Sequence, residues 1–334
     1  QFCGGETIDG CESTIQELEK AKIGTILDYS VEGEESEKSF QKTKEEILKT
    51  IRKSAENPAI PFAVFKVTGI FKAELLEKAQ TEAELNEEEQ ELFDHSKEIL
   101  VEICELAHQL KVRLFIDAEE SWIQTTIDNL TYEMMERFNH DTAIIYNTYQ
   151  MYRHDMLANL KAAVETAQEK NYYLGVKLVR GAYLEKERQK AHEDEYSEPL
   201  HVSKEDTDRD YDLGVELCLK NVERVHFCMG THNEASCLRL CDAMNALGIP
   251  SNHPNIYFAQ LLGMSDNISY NLAASGYNVA KYVPYGPVDA VMPYLFRRAE
   301  ENSSIAGQTS REFALLQKEV NRRNNAWKTT AISS

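Results

Sequence analysis

Eight short apolar runs punctuate the chain, and between them apolar residues recur at helical spacing. The runs are Thr25–Val31, Phe62–Gly69, Arg113–Ala118, Thr142–Thr148, Leu174–Gly181, Val225–Thr231, Ile256–Leu261 and Asn278–Val283, and each reads as a strand. They are nearly continuous in apolar residues rather than alternating. That pattern suits strands buried on both faces, in a parallel sheet covered by helices. Eight strand–helix units fit a closed barrel better than an open sheet. The expected fold class is α/β, a (βα)8 TIM-like barrel.

The helical stretches fill the gaps. Ser13 is placed to cap a helix carrying Ile15, Leu18 and Ala21, ended by Gly24, so that residues 1–23 form a helical arm. Further helices are expected over 35–54, 72–111, 123–137, 153–170 and 213–224. Residues 185–212 break the rhythm. They are rich in acids, contain Pro199, and read as a long charged loop or lid. No linker of Pro, Gly or Ser divides the chain, so residues 1–334 are expected to form a single domain.

Composition narrows the partners. Hydrophobic residues make up 42% of the chain, with 12 Phe and 16 Tyr, enough for a sizeable core. A formal charge of −20 excludes a nucleic-acid surface, which needs clustered Lys and Arg, and an electrostatic hold on anionic lipid. The 7 cysteines are odd in number and show no framework spacing, which points to reduced thiols in a cytosol-like compartment. Cys237 and Cys241 lie one helical turn apart without a second pair or a flanking His, so no metal site is expected. No apolar run approaches the ~20 residues that cross a bilayer, and the opening residues show no signal-peptide pattern. Gln1 in place of a Met reads as a trimmed start.

A barrel carries its site at the carboxyl ends of its strands. There the chain places Lys66, Asp117-Ala118-Glu119, Asn147-Thr148-Tyr149-Gln150, Lys177, Arg180-Gly181-Ala182-Tyr183, Thr231-His232-Asn233, Gln260-Leu261 and Lys281-Tyr282. Singly each has a structural explanation: a Lys66–Asp117 pair between neighbouring strands, a hydrogen-bonded His232, tyrosines at the core rim. Their concentration at one end favours a site. After the last strand, Tyr294, Arg297, Arg298 and Glu301 share one helical face, with Val288, Val291, Met292, Leu295 and Ala299 on the other. That stripe is either a solvated charged face or a bidentate clamp for a carboxylate or phosphate. The sequence has no G-x-G-x-x-G after a strand, no P-loop, no H-E-x-x-H and no G-x-S-x-G. A dinucleotide would therefore need barrel-end amides and helix N-termini for its phosphates.

The runs FIDAEE, YNTYQMY, VKLVRGAYLEKER, THNE, FAQLLGM and KYVPYGPVDAVMPYLFRRAEEN resemble the proline dehydrogenase family, from Lys66 to Glu301. The resemblance implies a distorted (βα)8 barrel that binds FAD and oxidises L-proline to Δ1-pyrroline-5-carboxylate, passing electrons to a membrane quinone. It implies that Arg297 and Arg298 grip the proline carboxylate with Lys66, and that Tyr282, Tyr294 and Leu261 pack on the ring. Glu301 would brace the arginines, Tyr183 would border the substrate, and Glu32 would pair with the first arginine as a gate. For the flavin it implies Asp117, Ala118, Asn147, Lys177, Val179, Gly181, Ala182, Thr231, His232 and Asn233. Lys177 and Asn147 stand where relatives carry arginine and glutamine, so a donor is kept with altered geometry. No general base is assigned. The location it implies is cytoplasmic, or peripheral at the inner membrane.

Three other readings stay open on the sequence. One is the same chemistry on 4-hydroxyproline, which Tyr282 would crowd. Another is a Schiff-base aldolase using Lys66, Lys177 or Lys281. The third is a barrel that only binds amino acids.

Overall fold

The computed structural model describes residues 2–30, 36–81, 83–292, 294 and 296. Eight parallel strands close into a barrel in chain order: β1 (Ile23–Tyr29), β2 (Phe62–Lys66), β3 (Arg113–Asp117), β4 (Ile145–Gln150), β5 (Leu174–Val179), β6 (Val225–Gly230), β7 (Ile256–Leu261) and β8 (Val279–Tyr285). Closure is made by β1 on β8, which pair over seven positions from Ile23↔Val279 to Tyr29↔Tyr285. The helices are α1 (Glu12–Lys20), α2 (Glu37–Glu56), α3 (Ala73–Gln80), α4 (Glu87–Leu110), α5 (Ser121–Phe138), α6 (Met156–Glu169), α7 (Leu184–Glu193), α8 (Lys204–Lys220), α9 (Glu234–Ala246) and α10 (Asp266–Ala274). The (βα)8 barrel expected from the apolar runs is the fold.

Two apolar cores result from strand alternation. Side chains on one face of each strand, among them Ile26, Val64, Ala259 and Ala280, fill the barrel. Phe62 stacks on Phe115 at 4.3 Å, and Tyr146 meets both edge-on. The opposite faces pack against the helices in a larger core. No helix among the described residues is long and apolar enough to cross a membrane.

Several boundaries differ from the sequence expectation, each for a local reason. Ser13 does not cap α1; Cys11 stands at that position, and Gly24 lies inside β1. The single helix expected over 72–111 is two, because Asn86 starts α4 with a capping box to Glu89. β4 begins at Ile145 rather than Thr142. The Asn139 Oδ1 accepts the N–H groups of Ile144 and Ile145, at 3.0 and 2.9 Å, and so fixes where pairing starts. Most of the 185–212 stretch is helix, not loop: α7 runs to Glu193 and α8 starts at Lys204 after the Ser203 cap. Only the segment between them connects, and it is tied down. His201 N–H donates to Tyr152 O at 2.7 Å, and the His201 ring meets Asp210 at 2.8 Å. Beyond β8 a helical turn spans 288–292, where Val291 is buried but Val288 is exposed, contrary to the expected apolar face. Leu295 and Ala299 lie outside the described residues.

Candidate functional site

At the carboxyl ends of the strands, the inward faces of β3, β5 and β8 bring three polar side chains together. Lys177 Nζ lies 2.6 Å from Asp117 Oδ1, and the Tyr282 hydroxyl donates to Asp117 Oδ2. Both carboxylate oxygens of Asp117 are thus engaged by these two partners, rather than by the Lys66 of the neighbouring strand. The Lys177 ammonium also stands 4.5 Å from the Tyr282 ring centroid and 5.3 Å from that of Phe115. Burial and the adjacent Asp117 charge raise the Tyr282 phenol well above its ordinary value, so it remains a donor. On β1, Asp28 is buried and receives the Ser30 hydroxyl. Burial pushes its carboxyl up to about 6, against the pull of the Lys66 ammonium.

A second cluster joins the ends of β2, β3, β4 and β5. Thr68 donates its N–H at 3.0 Å and its hydroxyl to the two oxygens of Glu119. Burial nevertheless pushes the Glu119 carboxyl up to about 7. Gln150 then links two strand ends: its Nε2 donates to Glu119 O at 2.7 Å, and its Oε1 accepts the Ala182 N–H at 3.0 Å. Gly181 has φ +147°, and a Cβ there would fall 2.4 Å from the Tyr152 ring. Both facts require glycine at this bend.

The turn after β6 is fixed by its own side chains. Thr231 Oγ1 accepts the Asn233 N–H at 3.1 Å, Asn233 Oδ1 accepts the Ser236 N–H at 3.2 Å, and His232 Nδ1 lies 3.0 Å from Ser265 Oγ. Asn233 thereby caps α9, whose positive dipole end stands beside the mouth.

Tyr294 is buried, and the Lys66 ammonium lies 5.9 Å from its ring centroid, so the first residue of the Tyr294–Glu301 stripe meets the end of β2. Leu261 is half-buried against the inner core, and the buried Tyr183 starts α7 with Lys186 Nζ 5.5 Å from its ring. Ala118 is buried next to Asp117, and Val179 is half-buried at the end of β5. Glu32, Arg297, Arg298 and Glu301 lie outside the described residues.

Asn147 is not part of this assembly. Its side chain turns to the helical layer and donates to Asp128 of α5 at 2.8 Å, because neighbouring strand residues face opposite ways. The carboxamide at the mouth belongs to Gln150, three positions on. Counting alternation from the inward Tyr146 would have selected it, since residues of one parity share a face. Glu119 was placed at its strand end but given no role, and Asp28 was missed, because carboxylates look alike in a sequence this rich in Asp and Glu.

Comparison with known proteins gives this barrel a family. Residues 11–311 match the family model described as proline dehydrogenase. The chain belongs to the proline dehydrogenase family. Among curated relatives, it is 34% identical to the carbapenem antibiotics biosynthesis protein CarD of Pectobacterium carotovorum subsp. carotovorum, covering 96% of this chain and 83% of that protein. It is 33% identical to the mitochondrial proline dehydrogenase 1 of Dictyostelium discoideum, covering 97% of this chain and 64% of the relative. The hydroxyproline dehydrogenase of Xenopus laevis is 31% identical, over 97% of this chain and 77% of that protein. Among solved structures, proline utilization A from Bdellovibrio bacteriovorus, inactivated by N-propargylglycine, superposes with a TM-score of 0.80. It covers 90% of this proline dehydrogenase family chain at 22% identity, and the chain spans 32% of that protein, so the likeness establishes the fold alone.

Proposed function

We propose that the protein oxidises L-proline to Δ1-pyrroline-5-carboxylate with bound FAD and passes the electrons to a membrane quinone. The observation that carries the reading is the inward-turned Asp117–Lys177–Tyr282 cluster, with Tyr294 against Lys66, at the mouth of a proline dehydrogenase family barrel. The residues fit a flavin dinucleotide. Gly181 keeps the backbone bare at the mouth, Lys177 is a cationic donor there, and the capped start of α9 follows Thr231-His232-Asn233 as a phosphate-binding end. Gln150 joins the expected set Asp117, Ala118, Val179, Gly181, Ala182, Thr231, His232 and Asn233, and Asn147 leaves it.

When bound, the flavin supplies the redox chemistry by accepting a hydride from the substrate's ring carbon. The chain's residues bind and orient. Arg297 and Arg298, outside the described residues, supply paired guanidinium forks for the carboxylate, with Lys66 as a third cation. Tyr282, Tyr294 and Leu261 flank the ring and exclude water, and Tyr183 borders them. Glu301 and Glu32 are the acids proposed to brace and gate the arginines. The amine proton leaves as the C=N bond forms. Because the acceptor quinone is held in the bilayer, the protein works at a membrane surface.

Hydroxyproline is the second substrate to test, since a hydroxyproline dehydrogenase is among the relatives. Tyr282 argues for proline: it is buried, and Asp117 fixes its hydroxyl, so it cannot swing aside for a ring substituent. A Schiff-base route is disfavoured at Lys177, whose Nζ is held by Asp117, and at Lys281, whose Nζ is held by Met264 O and Asp266, since the nucleophilic nitrogen must be free to reach a carbonyl.

The test is the visible spectrum of the purified protein. Flavin bands that bleach with proline and return with a soluble quinone are expected. A colourless protein that FAD cannot reconstitute sinks the proposal.

A further inference from the structure

Arg180 was assigned no role by the sequence, yet its guanidinium meets four side chains from three segments near the mouth. It follows the inward Val179, and its guanidinium lies between the ends of β5 and β6 and the helices α8 and α9. Nε donates to Asp208 at 2.6 Å, NH1 to Thr231 Oγ1 at 2.7 Å and NH2 to Ser236 Oγ at 3.0 Å. The plane stacks 4.2 Å from the Tyr211 ring centroid, and the Tyr211 hydroxyl donates in turn to Gly230 O at 3.1 Å. Ser236, which receives Arg180, donates its own hydroxyl to Asp212 at 2.7 Å, and its N–H donates to Asn233 Oδ1.

We infer that Arg180 is a positioning residue for the cofactor end of the barrel, holding segments 181–182 and 231–233 in one fixed relation. The inference rests on the flavin reading above. The two segments leave different strands. Within the 231–233 turn, Thr231 Oγ1 binds the Asn233 N–H, but that bond does not reach Gly181. Arg180 is covalently next to Gly181-Ala182 and bonds Thr231 directly and Asn233 through Ser236. A guanidinium fork can hold three such partners at fixed angles, whereas an ammonium at the same place cannot span them. Its charge is balanced by Asp208, so it acts through geometry rather than as a free cation.

The experiment measures FAD release from the purified holoprotein, with far-UV circular dichroism as the fold control. The variants are Arg180→Met, Arg180→Lys and Ser236→Ala, which removes one of the guanidinium's partners. Expected is an FAD Kd raised about tenfold or more in Arg180→Met, from the loss of charge-assisted hydrogen bonds. Arg180→Lys should be intermediate and Ser236→Ala mildest, with altered fine structure in the bound-flavin spectrum. At saturating FAD the proline KM should stay near wild type, because the substrate clamp is elsewhere. Should Arg180→Met fail to fold, the ranking of the other two against wild type decides. FAD affinity and flavin spectrum equal to wild type in the variants overturn the inference alone. A wild-type chain that takes up no FAD overturns the cofactor reading and this inference with it.

Discussion

Lys177 Nζ sits 2.6 Å from Asp117 Oδ1, although β4 separates their strands. Only the curvature of a closed barrel brings inward side chains two strands apart into contact. Their side chains are 9% and 14% exposed, so each charge depends on the other for compensation. Asp117→Asn should therefore destabilise the fold by about 3 kcal/mol. The Asp117→Asn, Lys177→Met double variant should recover part of that loss. Urea unfolding of the two single variants and the double checks this; additive effects would refute the pairing.

Arg298→Lys should raise the proline KM roughly tenfold or more, because a point charge replaces a fork that makes charge-assisted bonds. Flavin content should stay at the wild-type level. Steady-state kinetics on the flavin-replete variant measure it, and an unchanged KM removes the clamp.

Tyr282→Ser should shift the hydroxyproline-to-proline ratio of kcat/KM upward by roughly tenfold, the scale set by freeing space in a fitted pocket. The same change removes the hydroxyl that Asp117 accepts. With the buried ring lost as well, a stability loss of about 3 kcal/mol or more should accompany it. Parallel assays on both substrates test the specificity, and an unaltered ratio refutes the steric argument.

The buried carboxyls set a pH dependence. Glu119 is raised from 4.5 to about 7 by burial, while Asp28 and Asp128 are raised from 3.8 to about 6. Between the two values the folded protein holds protons that the unfolded chain has released. The contribution of these three groups to stability falls as pH rises through about 4 to 7, while buried His226, lowered from 6.5 to about 4, acts in the opposite direction over that lower range. Glu119→Gln keeps an acceptor for the Thr68 N–H and removes the ionisation. The variant should lose less unfolding free energy than wild type between about pH 5 and about pH 8, by up to roughly 3 kcal/mol. Identical slopes in chemical unfolding would show that Glu119 does not titrate in this range.

The barrel was legible because its strands are buried on both faces, which leaves eight apolar runs that no other arrangement of this length absorbs as well. The polar strand ends were legible for the same reason, since Lys66, Asp117, Lys177 and Tyr282 interrupt or end apolar runs. Helical spacing put Tyr294 on one face with Arg297, Arg298 and Glu301, and in the structure Tyr294 is buried with the Lys66 ammonium near its ring. Local chemistry was harder to read. Asn86 splits one expected helix into two, and Ser203 starts α8 inside an expected loop, because single capping side chains outweigh the average polarity of a stretch.

What the sequence by itself determined is the order of the elements, the end of the barrel where the polar side chains gather, and the family. The tertiary structure decided which side chains meet there. Asn147 and Gln150 are both carboxamides on β4, yet three residues of alternation send one to Asp128 in the helical layer and the other to Ala182 at the mouth. Lys66 and Asp117 are register neighbours, yet barrel curvature gives Asp117 to Lys177 and Tyr282. Arg180 lies in a recognisable motif, but its hold on Thr231 and Ser236 spans more than fifty residues. Periodicity is a property of neighbours along the chain; these contacts depend on the closure of the sheet, which no local pattern encodes.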